Sequence, residues 1–494
     1  MKSGKILASL LLITLTWFGC SDNPGLQLRY EAEKMFYQAE KSARQARIRP
    51  ELMSPEISAN LHELYGTTLD FCYSAIDSLN PQEYPVEYRE LTNITFASAT
   101  RLSQRCYADG YFDSCVAVID HLLHRVKLTG IPQISAHLNL GRALQAAGRW
   151  DSALTTFNYA VDNFYPPIDD NGEIIVNMFG LPNHIYDIFI RVGDSASAAA
   201  QVSRSEAYYH RLIADYPSSN LSGASHLSLS GLYERLGRWE EAVDELSQVM
   251  DTTGGLAPSA RMRIASLQAG HLDQPDLAIK EYDKILANLT GRDTLRRPII
   301  LYNKGLVQMH QKEYSQARKT FIDVKHLYDN FYAKTPVVQF AIARSFEFQN
   351  NWDRAETEFK FLINNFPTSE QSLSTYLFLV DKYREQKRVI EAKRMEQRAE
   401  TQYRELATTM PGTRVEAAAL SYLAELARRR SDWPQAVEIL GEVFEKFPTS
   451  EFGFRAAITA SIIYRNNLGD STAAANLIQE LKKKLTTVDE TGDF

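Results

Sequence analysis

The chain has few cysteines, no long run of one charge and, beyond its first twenty residues, no uninterrupted apolar stretch of membrane-spanning length. There are four cysteines in 494 residues, and 54 basic side chains stand against 61 acidic ones, giving a net charge of −7. A spanning helix needs about 20 mainly apolar residues, so none is expected after the N-terminus. Without a basic patch, the sequence predicts no nucleic-acid partner.

Signatures of common enzyme chemistry are also missing. The sequence contains no HExxH, GxSxG, GxGxxG or CxxC pattern and no Walker loop, each of which places groups that a particular reaction needs. His121 and His124 are three residues apart, but no third ligand completes a metal site. Asp169, Asp170 and Glu173 lack the alternation of an EF-hand calcium loop. We therefore expect a protein that is not an enzyme and holds neither cofactor nor metal.

The first nineteen residues have the pattern of a signal peptide. Lys2 and Lys5 precede an apolar segment, ILASLLLITL, that is too short to span a membrane. Gly19-Cys20, followed by a polar and turn-prone segment, resembles the lipobox of bacterial lipoproteins, although Trp17 and Phe18 depart from its usual residues.

This resemblance implies that Cys20 is the lipid attachment site, and several acyl chains together form a stable membrane anchor. The alternative is an ordinary signal peptide followed by a chance cysteine. Ser21, rather than Asp, follows Cys20, and in the better-known lipoproteins that choice directs sorting to the outer membrane. We expect an exported protein, anchored in the outer membrane and facing the periplasm, with a soluble periplasmic or cell-surface protein as the alternative.

Internal repeats dominate the remainder of the chain. Four segments align on an alanine, with a small residue twelve positions before it, an aromatic residue three before it, and apolar or small residues four and seven after it. This spacing predicts two antiparallel helices that approach closely, because small residues at the contact let the backbones meet. The four alanines are Ala153, Ala242, Ala355 and Ala436. Weaker copies centre on Ser114, Ala198, Ala278, Ala317, Ala392 and Ala473, so the pattern predicts about ten hairpins.

Two intervals between the repeats are longer than the others. Ala198 to Ala242 and Ala392 to Ala436 each span 44 residues. The extra residues, including AETQYREL from Ala399 to Leu406, continue a helical pattern. We therefore expect two long second helices rather than two long loops.

These hairpins resemble the tetratricopeptide repeat family, whose unit is a helical hairpin of about 34 residues. The resemblance covers residues 100 to 485, and FKFLINNFPTSE and GEVFEKFPTSEF look most like periplasmic lipoproteins of envelope assembly. It implies an all-α solenoid. We divide the chain into a signal peptide at 1–19, a tether with capping helices at 20–97, the solenoid at 98–485 and a frayed tail at 486–494. Residues 166–180, PPIDDNGEIIVNMFG, break the helical period and predict a projecting loop.

Three cysteines remain after Cys20, so at least one of them is unpaired. Cys106 and Cys115 lie near the turn of a predicted hairpin, where they either form a disulfide or stay buried as free thiols.

In the resembled family, the first helix of each hairpin lines a concave surface that binds a segment of a partner. On that basis Arg142, Gln145, Tyr302 and Met309 would face the groove. Our first hypothesis is a lipid-anchored scaffold that binds other envelope proteins and assists outer-membrane assembly, secretion or polymer export. The second is a periplasmic binding module for a peptide or glycan ligand, and the third is an enzyme with unusual active-site residues.

Overall fold

The computed structural model describes residues 23–48, 55–252, 257–328, 335–448 and 450–491. Within these ranges the chain forms helices and no named strand, with one isolated bridge between Ile168 and Ile174. The structure is therefore the all-α solenoid that the repeats predict.

These ranges contain 23 α-helices, which differ mainly in length. They are α1 Pro24–Ile48, α2 Pro55–Ser78, α3 Pro85–Ala108, α4 Phe112–Arg125, α5 Ile131–Ala146, α6 Trp150–Asn163, α7 Val176–Phe179, α8 Leu181–Val192, α9 Ser195–Asp215, α10 Asn220–Leu236, α11 Trp239–Thr252, α12 Ala257–Gly270, α13 Pro275–Asn288, α14 Arg297–His310, α15 Tyr314–Leu327, α16 Thr335–Phe348, α17 Trp352–Asn365, α18 Glu370–Glu385, α19 Val389–Thr409, α20 Arg414–Arg429, α21 Trp433–Lys446, α22 Glu451–Asn466 and α23 Ser471–Thr491. A short 3-10 helix, Gly291–Arg296, precedes α14.

From α3 onward, the helices other than the short α7 follow one another in ten pairs. The chain divides into two compact units, with the boundary inside α9 between Gln201 and Val202. In the first unit, α1 to α8 contribute to one apolar core that includes Ala32, Leu91 and Phe157. In the second, a core cluster formed by α16 to α22 includes Phe359, Tyr376 and other fully buried residues.

Each pair turns through one residue with positive φ, two positions before its second helix. This geometry reverses the chain within a short turn and favours glycine, because a Cβ is strained there. Half of the ten positions are glycine. They are Gly110, Gly148, Gly193, Gly237, Asp273, Lys312, Asn350, Lys387, Ser431 and Gly469.

The predicted contact between paired helices is confirmed. Ala153, Ala242, Ala355 and Ala436 are each 0% exposed. The small residue predicted on the first helix leaves space for a large side chain of the second helix. A Cβ added to Gly141 of α5, for example, would lie 2.2 Å from the ring of Phe157 of α6.

Two of the weaker repeats were placed one residue too early. Ser114 is exposed, and its neighbour Cys115 is the buried residue; likewise Ala474 is fully buried and Ala473 is not. Both errors arise where two small residues are adjacent, because periodicity alone does not tell which of them faces the partner helix.

The two long intervals are long second helices, as predicted. Helices α9 and α19 each have 21 residues. The last helix, α23, continues to Thr491 and so enters the segment that we expected to fray.

The break at residues 166–180 is confirmed. Residues 164–175 are not helical, and the Asp169 carboxylate accepts hydrogen bonds from the backbone N–H groups of Asn171 and Glu173. The segment ends in the single turn α7, where Met178 is fully buried. Met178 and Phe179 anchor this end of the segment in the core of the first unit.

Candidate functional site

A cleft of about 220 Å³ lies in the first unit between α5, α7 and α8, and we name it the Arg142 cleft. It combines the first helices of two hairpins with the short turn that connects them. Its walls are mainly apolar. They are formed by Leu138, Arg142, Phe157, Val176, Asn177, Gly180, Leu181 and His184.

Arg142 supplies the charge of this cleft. Its side chain is exposed on α5, and the cleft walls contain no other Lys, Arg, Asp or Glu. His184 is the second titratable group there. Burial lowers its pKa, and the charges of Arg142 and Arg191 lower it further against the opposing effect of Asp187. His184 is therefore neutral at pH 7, and the cleft carries the positive charge of Arg142 alone.

Gln145 lies next to this cleft and orients one of its walls. Its Oε1 is 2.9 Å from Nε2 of His184, so the imidazole N–H donates to the amide oxygen. The His184 ring also packs edge-on against Phe157, with 5.4 Å between the ring centroids. The structure thus brings Arg142 and Gln145 together around His184, which the sequence analysis did not single out.

The signal that could have identified His184 is its position. It follows the interrupted segment directly, and Leu181 and His184 are three residues apart on one helical face. An interruption between two hairpins brings irregular backbone next to the first-helix surface, and such junctions often carry binding residues.

Tyr302 and Met309 belong to the second unit and do not share a site with Arg142. Both are half-buried and pack against a small apolar core around Phe321, with 5.8 Å between the ring centroids of Tyr302 and Phe321. Burial raises the pKa of Tyr302. Their helix α14 nevertheless presents an apolar surface, because Ile299 and Leu306 are 42% and 43% exposed. We name Ile299, Tyr302, Leu306 and Met309 the α14 stripe.

Later first helices carry paired charges near the corresponding positions. On α16, Glu347 pairs with Arg344 and, at 3.1 Å, with Lys382 of α18. Further along, Asp381 of α18 pairs with Arg429 of α20 at 2.7 Å. The α14 stripe therefore differs in chemistry from the helices that follow it.

One cluster has the residue types of a cysteine hydrolase. Cys106 Sγ lies 3.7 Å from Nδ1 of His62, and His62 Nε2 donates to Asp109 at 2.8 Å. Burial raises the pKa of Cys106 to about 11, and Cys115 and Asp109 add to this effect. A thiol that is 3% exposed and protonated at neutral pH is a poor nucleophile. The cluster instead joins α2 to the end of α3.

Asp109 is the centre of that junction. It accepts hydrogen bonds from Ser58 and His62 of α2 and pairs with Arg105 at 2.7 Å. Burial opposes its ionisation, but these three donors outweigh the burial and lower the pKa to about 2.

The cysteines beyond Cys20 are all free and buried. Cys115 Sγ lies 2.8 Å from the hydroxyl of Ser103, and Cys106 contacts His62. Of the two alternatives for Cys106 and Cys115, the structure has the free thiols.

The other candidate ligand groups do not converge. His121 packs edge-on against Tyr73, whereas His124 is exposed and bonds the backbone oxygen of Asp120. In the described ranges, no three His, Cys, Asp or Glu side chains form a cluster suited to a metal ion.

The described residues also include no helix with the length and apolar character needed to cross a membrane. The predicted lipid attachment site, Cys20, lies outside these residues.

Three segments, residues 135–166, 338–369 and 418–450, match the family model described as tetratricopeptide repeat. They coincide with the pairs α5–α6, α16–α17 and α20–α21. None of the curated proteins matches the chain.

The chain is similar to several solved structures. Yeast Tom70 is 17% identical with a TM-score of 0.38, and the match covers 94% of this chain and 93% of that one. A tetratricopeptide repeat protein from Parabacteroides merdae is 17% identical with a TM-score of 0.31, covering 56% and 96%. Pseudomonas aeruginosa pilF is 19% identical with a TM-score of 0.29, covering 47% and 95%. Likenesses this low carry no argument about function.

The likeness to tetratricopeptide repeats therefore rests on the hairpins themselves. Three hairpins match the family model, and all ten place a positive-φ residue two positions before the second helix. The chain folds as an all-α solenoid of tetratricopeptide type, and these three hairpins match that repeat.

Proposed function

We propose that this protein is a non-catalytic scaffold of the bacterial cell envelope, held by a lipid on Cys20, that binds extended segments of partner proteins on its first helices. Tetratricopeptide repeats indicate a protein-interaction scaffold. The observation that carries the proposal is the Arg142 cleft, where one exposed guanidinium stands among apolar walls.

The size of the cleft favours a side chain of a partner over a free small molecule. Sites for small ligands usually enclose about 300–1,000 Å³, whereas the Arg142 cleft encloses about 220 Å³. An anionic or polar side chain that contacts Arg142, flanked by apolar residues against Leu138 and Leu181, suits these walls. The α14 stripe adds a second, uncharged contact surface for an apolar segment.

Charge reversal tests the cleft. In a pull-down from solubilised membranes, Arg142→Glu should weaken capture of the partner while helical content and melting temperature stay as in the wild type. Glu240→Arg is the matched control, because Glu240 is exposed at the start of a second helix, α11. Equal capture by wild type and both variants would contradict the proposed surface, and a small molecule recovered without any partner would favour the peptide or glycan alternative.

A separate substitution tests the α14 stripe. Leu306 is exposed, so Leu306→Glu should leave the fold intact and reduce capture of an apolar segment. Unchanged capture by Leu306→Glu would remove the stripe from the proposal without affecting the Arg142 cleft.

The anchor is tested separately. The proposed lipid on Cys20 places the protein in the outer membrane facing the periplasm, where it would assist assembly, secretion or polymer export. Cys20→Ser should yield a folded protein that moves from the membrane fraction to the soluble periplasm or stays as the precursor. Membrane association that persists in Cys20→Ser would refute lipid attachment.

A further inference from the structure

One hairpin of the second unit departs from the packing that the others share. Four residues after the contact alanine, the second helices carry apolar side chains, such as Phe321, Phe359 and Leu440, which are 0%, 0% and 6% exposed. In α19 the contact alanine is Ala392, and the residue four positions later is Glu396. A carboxylate therefore stands where the repeat requires a core side chain.

The aromatic residue at the start of the second helix is also absent from this hairpin. In the preceding hairpin, the Trp352 ring lies 6.5 Å from Phe359 and 6.4 Å from Tyr383 of the next helix. Val389 takes the place of Trp352, and it is 70% exposed. Ala427 takes the place of Tyr383. Two of these three positions, Val389 and Glu396, line one cleft, whereas Ala427 is buried.

A cleft of about 530 Å³ opens at this hairpin, and we name it the α19 cleft. It is lined by Arg384, Val389, Ala392, Lys393, Glu396, Gln397, Glu400 and Arg430.

The carboxylates of this cleft are already neutralised by arginines. Glu396 pairs with Arg384 and Arg430, both at 2.6 Å, and its side chain is only 14% exposed. Glu400 pairs with Arg430 and Arg404, both at 2.8 Å. These bonds fix the walls without filling the space.

Lys393 is the exception among the charged groups. In the part of the chain that the structure describes, it makes no hydrogen bond or ion pair, and its side chain is exposed. The three cations that line the cleft exceed its two carboxylates by one charge. At the mouth, Val389 and Ile390 are 70% and 67% exposed.

We propose that the α19 cleft binds a partner-protein segment in which an aromatic side chain is followed directly by a carboxylate. The aromatic ring would occupy the place that Trp352 and Phe359 fill in the preceding hairpin. Arg384 and Arg430 at the rim favour a π-system by cation–π attraction. The carboxylate of the partner segment forms an ion pair with the Lys393 ammonium group. This site lies on a second helix and is independent of the Arg142 cleft.

Titration calorimetry with the full chain tests this site. The probe is the peptide acetyl-Gly-Ala-Trp-Asp-Ala-Gly-amide, and the comparison peptides carry Asn for Asp or Ala for Trp. The Trp-Asp peptide should bind the wild type, and each comparison peptide should bind about tenfold more weakly. No binding of the Trp-Asp peptide at millimolar concentration, or equal binding of the Asp and Asn peptides, would overturn the proposal.

Two variants assign the binding to the cleft. Val389→Trp should fill the space and abolish binding, and Lys393→Glu should weaken it about tenfold. Lys280→Glu on α13 is the control, because Lys280 is exposed two residues after the contact alanine Ala278 and is not among the residues that line the α19 cleft. Binding by Lys393→Glu equal to that by Lys280→Glu would overturn the proposal, even if Val389→Trp did not fold.

Discussion

Gly141 of α5 lies against the ring of Phe157 of α6, so closely that a Cβ on Gly141 would stand 2.2 Å from Cε1 of the ring. The same relationship recurs between Gly305 and Phe321, where the distance would be 2.4 Å. Phe157 and Phe321 are 1% and 0% exposed. Because neither ring has solvent to move into, the missing Cβ sets how closely the two helices of these hairpins approach.

Gly141→Ala should therefore destabilise the protein by about 1–3 kcal/mol, the range for overpacking a core. Gly66→Ala is the matched control, because Gly66 lies within α2 and an added Cβ meets nothing within 4 Å. Alanine is the better helix former, so this control should stabilise by up to about 1 kcal/mol. Urea unfolding of both variants gives the comparison, and equal stability of the two would contradict the packing of α5 on α6.

The turns allow a test of backbone strain without a change in packing. Gly148 has a φ of 72°, and nothing lies within 4 Å of an added Cβ. Gly148→Ala should therefore cost about 1 kcal/mol through conformation alone. Lys312 occupies the equivalent position with a φ of 66°, so Lys312→Gly should change stability in the opposite direction. The midpoints of urea unfolding would reveal the signs, and a shared sign would contradict the common turn geometry.

The sequence predicts these hairpins well because they depend on contacts that are local in the chain. Small residues twelve apart in the sequence meet across one turn, and the four strong repeats were predicted correctly on that basis. The 21-residue helices α9 and α19 were predicted from the longer intervals between the repeats. The register failed at Ser114 and Ala473, where each neighbour is equally small.

The candidate sites depend on contacts between hairpins, and the repeat pattern does not encode them. Arg142 was predicted to face a groove; it is exposed, and its cleft is completed by His184, 42 positions further along the chain. Tyr302 and Met309 were predicted to face the groove, and both side chains are half-buried against the core. The exposed part of the α14 stripe is Ile299 and Leu306, which the sequence analysis did not name. The helical period predicts the face of the helix on which a residue lies. Whether that residue is exposed depends on how the neighbouring helix packs against that face.

The buried thiols should be unreactive in the folded protein. Burial raises the pKa of both Cys72 and Cys106 to about 11 and raises that of Cys115 as well. A Cys20→Ser protein should therefore react slowly with Ellman's reagent at pH 8 and release three equivalents only after denaturation in guanidinium. Rapid labelling of one thiol in the folded protein would contradict the burial, and fewer than three equivalents after denaturation would indicate a disulfide.

The Asp109 junction predicts how stability depends on acid. The folded protein lowers the pKa of Asp109 from 3.8 to about 2, and a carboxylate with a lowered pKa stabilises the fold only when ionised. Its contribution, about 2 kcal/mol, is thus complete above about pH 4 and disappears as the pH falls through 2. The side chain is 20% exposed, so solvent screens this contribution only in part.

Asp109→Asn removes the charge and keeps the shape, so the variant should be less stable than the wild type at pH 7 by about 2 kcal/mol or somewhat less. The difference should shrink as the pH is lowered from 4 to 2, because the wild-type carboxyl then also becomes neutral. Asp323→Asn is the control: Asp323 is exposed on α15 and has no ion pair or hydrogen bond within the described ranges. Urea unfolding at several pH values measures all three proteins. A difference between Asp109→Asn and the wild type that stays constant from pH 7 to pH 2 would show that the charge of Asp109 does not join α2 to α3.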